Sequence, residues 1–511
     1  MLSTEEGEEM KRPARQVFVV SDLHVGGEYA QSDDPDDRGF RISTQVPALS
    51  AFVTALAEKQ REAPSIELVI NGDFIDFLAE KESASQGWEP FTLDPKAATS
   101  KLEAIVERDR TLFSALGDLL ERGHRLTITL GNHDIELALP QVRKRLMELI
   151  GVAGHHQFHF IYDGEAYVIG DVLIEHGNRY DMFNVVDHDA LRRYRSLLSR
   201  NQPVSAEHRF NAPTGSHIVA SIMNPVKSSY SFIDLLKPET GAAVPVLLAL
   251  EPGTRKLLAR MALMVKQASA HRLAGAAMPG FGGDIHAEGD ASTSFGEDIG
   301  SFDDGPSVLA SHSADDDALA AVVQDALGED ADQFLAEFSE PASIGEDIST
   351  AEFFDRSMGL ASLLLARNDD DVERRLPSLL RALRSVQGDK SFDRSVETAR
   401  EYLEAARELA RGGFRCVVFG HTHLAKRVPL GDDALYINTG TWADVMRFPM
   451  DILAGPDQQA LPKLREFVQD LAAGKLSRWI GTGATYARLD LDDNDRLLQA
   501  ELLDFEGPEH V

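Results

Sequence analysis

Five short clusters of Asp, Asn and His punctuate the chain in order: Asp22 and His24 in SDLH, Asp73 and Asp76 in NGDFID, Asn132 and His133 in GNHD, His176 in EHGN, and His421 and His423 in GHTH. Carboxylate oxygens and imidazole nitrogens suit hard to borderline divalent cations such as Mn, Fe, Zn, Co or Ni. Alternation in Asp22-Leu23-His24 and in His421-Thr422-His423 puts both members of each pair on one side of an extended segment, where they can share an ion. A carboxylate such as Asp73 can bridge two cations roughly 3.5–4 Å apart, the separation that clamps the attacking and leaving oxygens of a displacement at phosphorus. Any one Asp or His is ordinarily a satisfied polar residue; five clusters in one chain carry the argument.

The elements that must position these clusters read as an α/β pattern. Short β-branched runs at Gln16–Val20, Ile66–Ile70 and Arg125–Leu130 predict strands, each ending abruptly in one of the polar clusters. Ligands in such sheets lie beyond the carboxyl ends of strands, so the clusters can converge on one crevice. Two further short strands near Tyr167 and Val172 lead into EHGNRYD, and strand signals resume at Arg415 with CVVFGHTH, ALYINTGTW and TYARLDLD. Between them the chain reads as helical and irregular. The spacing therefore predicts a discontinuous catalytic domain, residues 1–178 with 413–511, interrupted by a mainly helical cap insertion over 179–412.

Within that insertion, residues 276–355 carry 20 acidic residues and no Lys or Arg, in a Gly-, Ser- and Asp-rich context that predicts a flexible acidic segment. Apolar stretches at Ile218–Met223, Val244–Leu250 and Leu257–Val265 read as the insertion's own core.

The whole chain of 511 residues has 51 Lys and Arg against 83 Asp and Glu, a formal charge of −32, which makes long nucleic acid an unexpected partner. A phosphate-containing small molecule is the expected substrate. Cys416 is the one cysteine, so neither an intramolecular disulfide nor a thiolate zinc site is available to a single chain. Its place inside CVVF predicts a buried small hydrophobe. The polar, acidic N-terminus lacks the apolar core of a secretory signal, and the apolar run Ala242–Leu250, broken by Pro245, is far short of the roughly 20 residues needed to span a bilayer. A cytoplasmic protein without a transmembrane segment is expected.

In their order and spacing, D-x-H, G-D-x-x-D, G-N-H-D, H and G-H-x-H, the five clusters resemble the calcineurin-like metallophosphoesterases. The resemblance implies a β-sandwich flanked by helices and a dinuclear site for two divalent ions, manganese foremost, with Fe, Zn, Ni, Co or Mg as alternatives. It implies that Asp22, His24, Asp73 and His423 hold one ion, and Asp73, Asn132, His176 and His421 the other. It further implies in-line attack by a bridging hydroxide on a phosphomonoester, phosphodiester or pyrophosphate, with His133 protonating the leaving oxygen or stabilising the transition state and Asp76 orienting His133. The layout is similar to that of UDP-diacylglucosamine hydrolases, which also carry an insertion between the fourth and fifth blocks. Their third and fourth blocks resemble G-N-R-D and H-G-D, whereas this chain has GNHD and HGNRYD. Protein Ser/Thr phosphatases continue the second block with Arg-Gly, where Phe77 and Leu78 stand here. Rival readings are a nuclease of the same fold and a non-catalytic metal-binding scaffold.

Other residues admit two readings each. Asn132, beyond its place in the ligand set, is a candidate for contact with substrate. Arg179, three residues after His176, has a planar donor fork suited to a substrate phosphate, or to an ion pair with a neighbouring carboxylate such as Asp181. Asp134 reads as the cap of a helix starting near Ile135, the commoner role for an Asp there, or as a hydrogen-bond acceptor behind the ligands. Arg192 and Arg195 share a helix face by their i, i+3 spacing, a solvated one by default. Asn438 and Trp442 in INTGTW are expected to wall the site, and the HHQFHF histidines 155, 156 and 159 to be structural.

Overall fold

Val17 and Val19 turn one way and Phe18 and Val20 the other, so strand β1 (Arg15–Val20) is buried on both faces. The computed structural model describes residues 13–27, 40–59, 64–81, 87–152, 154–230, 233, 235, 239–250, 372–384, 392–431, 433–446, 455–473, 475 and 477–510. Strand β1 is central in a six-stranded sheet that runs Leu497–Asp504 (β13), Thr485–Leu491 (β12), β1, Ser65–Asn71 (β2), Arg125–Thr129 (β3) and Phe158–Ile161 (β4). The four strands from β1 to β4 are mutually parallel; β12 and β13 extend the sheet antiparallel.

A five-stranded sheet packs against it in the order Tyr167–Ile169 (β5), Val172–Ile174 (β6), Cys416–Phe419 (β7), Ala434–Asn438 (β9) and Lys426–Gly431 (β8). The core between the sheets is small and branched: Val17, Val19 and Val69 from the first meet Val172, Ile174, Cys416, Val418 and Ile437 from the second. Cys416 is fully buried, as its place in the strand predicts, and burial pushes its thiol up to about 12.

Helices cover both outer faces. On the first sheet lie α1 (Val46–Glu58), α2 (Pro95–Arg108), α3 (Arg110–Glu121) and α4 (Pro140–Ile150). In α3, Leu112, Phe113, Leu116, Leu119 and Leu120 are buried, the i, i+3, i+4 stripe of an amphipathic helix. Pro at the first turn opens α2 and α4, and Gly151, left-handed at φ +79°, closes α4. On the second sheet, Tyr402, Ala405 and Ala406 of the helix Arg400–Arg411 (α10) pack on Val417, Phe419 and Tyr436. The molecule is thus the metallophosphoesterase-type α/β sandwich flanked by helices that the sequence predicts.

A separate apolar cluster joins the π-helix Val219–Met223, α7 (Asn224–Ser229), α8 (Glu239–Leu250), α9 (Val372–Arg384) and α11 (Asp457–Ala472). Ile222, Met223 and the run Val246–Ala249, from two of the apolar stretches singled out in the sequence, are inside it. Helix α11 contributes Leu464, Phe467, Val468 and Leu471 to the same cluster, although it follows GHTH in the chain. The acidic segment 276–355 and the stretch Leu257–Val265 lie outside the described residues. Among the described residues no helix is long and apolar enough to cross a membrane.

Candidate metal centre

Backbone pairing continues past the strand ends and draws the clusters together. The amide of Asp22 donates to Gly72 O (3.2 Å) and that of His24 to Asp73 O (2.9 Å), aligning SDLH with NGDFID. The amide of Gly420 donates to His176 O (2.9 Å), aligning EHGN with GHTH. Asn71 ties the two sheets: its Nδ2 donates to Glu175 O (2.8 Å), and its own carbonyl lies 2.9 Å from His176 Nδ1. Gly131 has a steric reason, because a Cβ there would run into the carboxylate of Asp73. Gly72 stands at φ +77° with the His176 ring against it.

Eight non-glycine residues adopt positive φ among those described, and five of them are predicted ligands: Asp22, His24, Asp73, His421 and His423, at φ of 43–70°. Left-handed backbone costs an L-residue energy, and its concentration here bends the strand ends so that side chains two apart converge.

The geometry gathers these side chains into close groups that could each hold an ion. Asp22, His24 and His423 offer atoms mutually within 4.8 Å, as do Asp73, His176 and His421. His24 Nε2 is 3.0 Å from His423 Nε2, and His423 Nε2 is 3.3 Å from Asp22 Oδ1. Asp73 lies between the two groups: its Oδ2 is 3.2 Å from His176 Nε2 and 3.8 Å from His24 Nε2, while its Oδ1 accepts the His133 amide at 2.8 Å. Since His176 Nδ1 donates to the Asn71 carbonyl, Nε2 is the ring nitrogen turned to Asp73 and the centre. Among the buried polar atoms of the described residues that make no hydrogen bond are His176 Nε2 and Asn132 Oδ1, both of predicted ligands.

The electrostatics match that donor set. Burial opposes ionisation of Asp22, but His423 and His176 hold its carboxyl down at about 2; Asp73 and Asp76 are lowered in the same way by neighbouring imidazoles. Burial likewise works against protonation of His176 and His133, yet Asp73 and Asp22 push the first up to about 10, and Asp76 and Asp73 the second up to about 9. So much buried negative charge demands cations, and in their absence protons serve. Oxygen and imidazole donors of this kind fit divalent transition ions.

Asp76 orients more than His133. Its Oδ1 lies 3.2 Å from His133 Nδ1 and accepts the Ala79 amide at 3.0 Å, and its Oδ2 lies 3.2 Å from His24 Nδ1. Several expectations need correction. Asp134 precedes a 3₁₀ turn, yet its carboxylate does not cap it; it accepts the amides of Gly131 (2.7 Å) and Phe74 (2.8 Å) and so staples GNHD to NGDFID. Burial, reinforced by Asp73, pushes it up to about 7. The Arg179 fork meets Gly164 O (2.6 Å) and, as the ion-pair reading expects, a neighbouring carboxylate, which is Glu175 (3.3 Å). Arg195 is buried, with its guanidinium 4.8 Å from the Tyr162 ring centre, while Arg192 is exposed, so the shared face is only half solvated. Trp442 is packed in the core against Phe52 and Phe505 instead of walling the site. Asn438 braces the histidine loop, donating to Gly420 O at 2.6 Å. His155 and His156 stack on each other and His159 meets Tyr167, away from the centre.

Two site residues are new. Asp181 Oδ2 is 3.0 Å from His421 Nε2, a carboxylate that fixes the imidazole's orientation, and Asn184 Oδ1 accepts from Asn132 Nδ2 at 3.4 Å. Both follow a 3₁₀ turn, where no periodic pattern marks them. Beside His176 opens a cavity of about 260 Å³ lined by Thr129, Gly164, Glu175, Arg179 and His188 among others.

No curated protein matches the chain. Residues 15–232 match the model of the calcineurin-like phosphoesterases, a span that holds every candidate ligand except His421 and His423. Over that span the chain is similar to the calcineurin-like phosphoesterases, whose general chemistry is metal-dependent hydrolysis of phosphoesters.

Proposed function

We propose that the protein hydrolyses a phosphoester of modest size at a dinuclear centre. Asp22, His24, Asp73 and His423 would hold one ion, and Asp73, Asn132, His176 and His421 the other. When bound, such ions supply Lewis-acid charge against phosphoryl oxygens and make water nucleophilic at neutral pH. The chain's own residues do the rest. Asp73 links the two positions, and Asp181 and Asn71 fix the rings of His421 and His176. His133, held protonated beside Asp76, can give its Nε2 proton to the leaving oxygen and stabilise charge there. Arg179 and Asn132 are the proposed substrate contacts; Arg179 lines the cavity beside His176, which has room for the organic part of a small substrate. The domain division is proposed as a discontinuous sandwich bearing a helical cap, with α11 joined to the cap through its apolar cluster.

The observation that carries this reading is the convergence of three carboxylate–imidazole groups, drawn from opposite ends of the chain, around Asp73. The test is a panel on purified protein with added Mn, Ni or Mg: an aryl phosphomonoester, an aryl phosphodiester, a nucleoside diphosphate sugar and single-stranded nucleic acid. Metal-dependent turnover of a small phosphoester, lost in Asp73→Ala and His133→Ala, is expected. Metal binding with no turnover overturns the enzyme assignment in favour of a scaffold, and cleavage of nucleic acid alone in favour of a nuclease.

A further inference from the structure

Tyr162, the residue after strand β4, is approached by two guanidiniums. Arg143 of α4 has its Cζ 3.7 Å from the ring centre, and Arg195 of the helix His188–Ser199 (α5) has its Cζ at 4.8 Å. Helices α4 and α5 touch, so three elements build one small cluster. Arg195 is only 8% exposed. Among the described residues its guanidinium makes no hydrogen bond and no ion pair, and its Nε is buried without a partner. Arg143 gives one hydrogen bond, from Nη1 to Ala138 O at 3.0 Å, and has no ion pair either. The Tyr162 hydroxyl is likewise unbonded.

A buried guanidinium is ordinarily matched by a carboxylate. The nearby acid, Asp163, forms no ion pair with either arginine; its Oδ1 accepts the Glu165 amide at 3.3 Å. Arg192, one turn before Arg195, adds positive charge and pairs with Asp189 at 3.6 Å. Attraction to an aromatic face contributes roughly 0.5–2 kcal/mol, less than the several kcal/mol that burying an ion costs. Burial lowers both guanidiniums from their ordinary range, and Arg143 lowers Arg195 further. Two cations that repel each other, share one ring and lack a counter-charge leave a place for an anion. Their field extends to His188 in the first turn of α5, which lines the cavity beside His176: burial lowers its imidazole to about 4, with Arg179 and Arg195 adding to the effect.

We propose that Arg143, Arg195 and Tyr162 form a binding site for a phosphate group, built from none of the candidate metal ligands. Two planar forks offer N–H donors to phosphate oxygens, and the phenol hydroxyl offers an O–H donor beside them. A phosphate monoester carries about −1.5 to −2 near neutral pH, which matches two cations. Its source is a second phosphate on the substrate or a separate phosphorylated molecule, and the recognition chemistry is the same for both. The inference does not depend on the phosphoesterase reading.

The test is calorimetric titration of the full-length protein, stripped of metal, with inorganic phosphate, so that no ion at the candidate metal centre can bind the probe. Thermal denaturation with and without phosphate accompanies it. One phosphate per chain and a phosphate-induced rise in Tm are expected. Arg195→Gln and Arg143→Gln should each weaken binding about 10–100-fold, the range of a hydrogen bond to a charged group, and Tyr162→Phe about 3–10-fold. Should Gln impair folding, Arg195→Lys keeps the charge without the fork and should retain only part of the affinity. Without phosphate the Gln variants should be at least as stable as the wild type, because an unmatched buried charge has gone. A bracket that serves the fold alone predicts the reverse: the variants lose stability and phosphate leaves the wild-type Tm unmoved. That result overturns the proposal, as does phosphate binding that survives both Gln substitutions. A second arm measures kcat/KM of Mn-loaded wild type and Arg195→Gln on an aryl phosphate and on a bisphosphate. A fall of about 10-fold confined to the bisphosphate assigns the site to the substrate. No change on either, with calorimetric binding lost, assigns it to a separate phosphorylated molecule, and an equal fall on both counts against the site. If neither compound is turned over, the phosphoesterase reading fails while the calorimetry still decides the phosphate site.

Discussion

His24 Nε2 and His423 Nε2 face each other at 3.0 Å although 399 residues separate them in the chain. Two bare imidazole nitrogens at that distance repel, so a proton or a cation must lie between them. Added Mn or Zn should therefore stabilise the fold, by about 2.7 kcal/mol at a hundredfold excess over Kd. In His423→Ala thermal denaturation with and without metal should show most of that stabilisation lost. An undiminished metal-induced rise in Tm in this variant would remove His423 from the ligand set.

Asp76 is the shared anchor of two rings, His24 and His133. Asp76→Asn keeps the shape but offers an amide where one imidazole needs an acceptor and weakens the negative charge that favours protonated His133. Activity should fall about 10–100-fold, the usual loss when the partner of a ligand or catalytic histidine is changed. Metal titration should show the affinity of the Asp73, His176 and His421 group retained, since Asp76 does not touch it. Loss of all metal binding in Asp76→Asn would give Asp76 a structural role in both groups.

Glu136 gives a pH prediction away from the ligands. It is buried, its Oε1 accepts the Thr92 amide at 2.7 Å, and burial pushes it up to about 7 from an ordinary 4.5. An acid whose pKa is raised by folding binds its proton more tightly in the native state, so stability is lost as pH climbs from about 4.5 to about 7 and then levels off. Glu136→Gln keeps the acceptor and removes the titration. Relative to wild type it should gain about 1–3 kcal/mol between pH 5 and pH 8 in urea denaturation. A difference that does not change with pH would mean that Glu136 is ionised in the fold throughout.

Strands β1, β2 and β3 were legible because each is central, buried on both faces and ends in a polar cluster, a contrast visible in single residues such as Val20 against Asp22. The strands that escape sequence reasoning are edges. Phe158–Ile161 alternates with His159, Lys426–Gly431 contains Pro429, and Leu497–Asp504 reads as a helix former; each is paired on one side only, so its pattern is diluted by solvent. The candidate ligands were legible because their spacing is local. Asp181 and Asn184 were not, because what they touch is set by a turn: Asp181 meets His421 across 240 positions. For Asp134 the sequence left capping and accepting side by side, since a residue at a helix start does not reveal that another strand's amide lies closer than its own turn's.

Arg179 tests how far the cavity belongs to the substrate. Its side chain is 42% exposed, and its contacts are Gly164 O and a Glu175 carboxylate that also accepts from the Tyr180 hydroxyl at 2.6 Å. The Glu175 pair holds the fork loosely at 3.3 Å, so a phosphate or polar leaving group entering beside His176 competes for it at little cost. If the fork contacts substrate equally in ground and transition states, Arg179→Ala raises KM about 3–10-fold and leaves kcat nearly unchanged. A residue that serves only to position Glu175 predicts the reverse pattern, because the cavity wall next to His176 would loosen and kcat would fall with KM unmoved. Steady-state kinetics on the best substrate of the panel separates the two, and Arg179→Lys sharpens the result: a point charge without the planar fork should recover only part of the lost affinity.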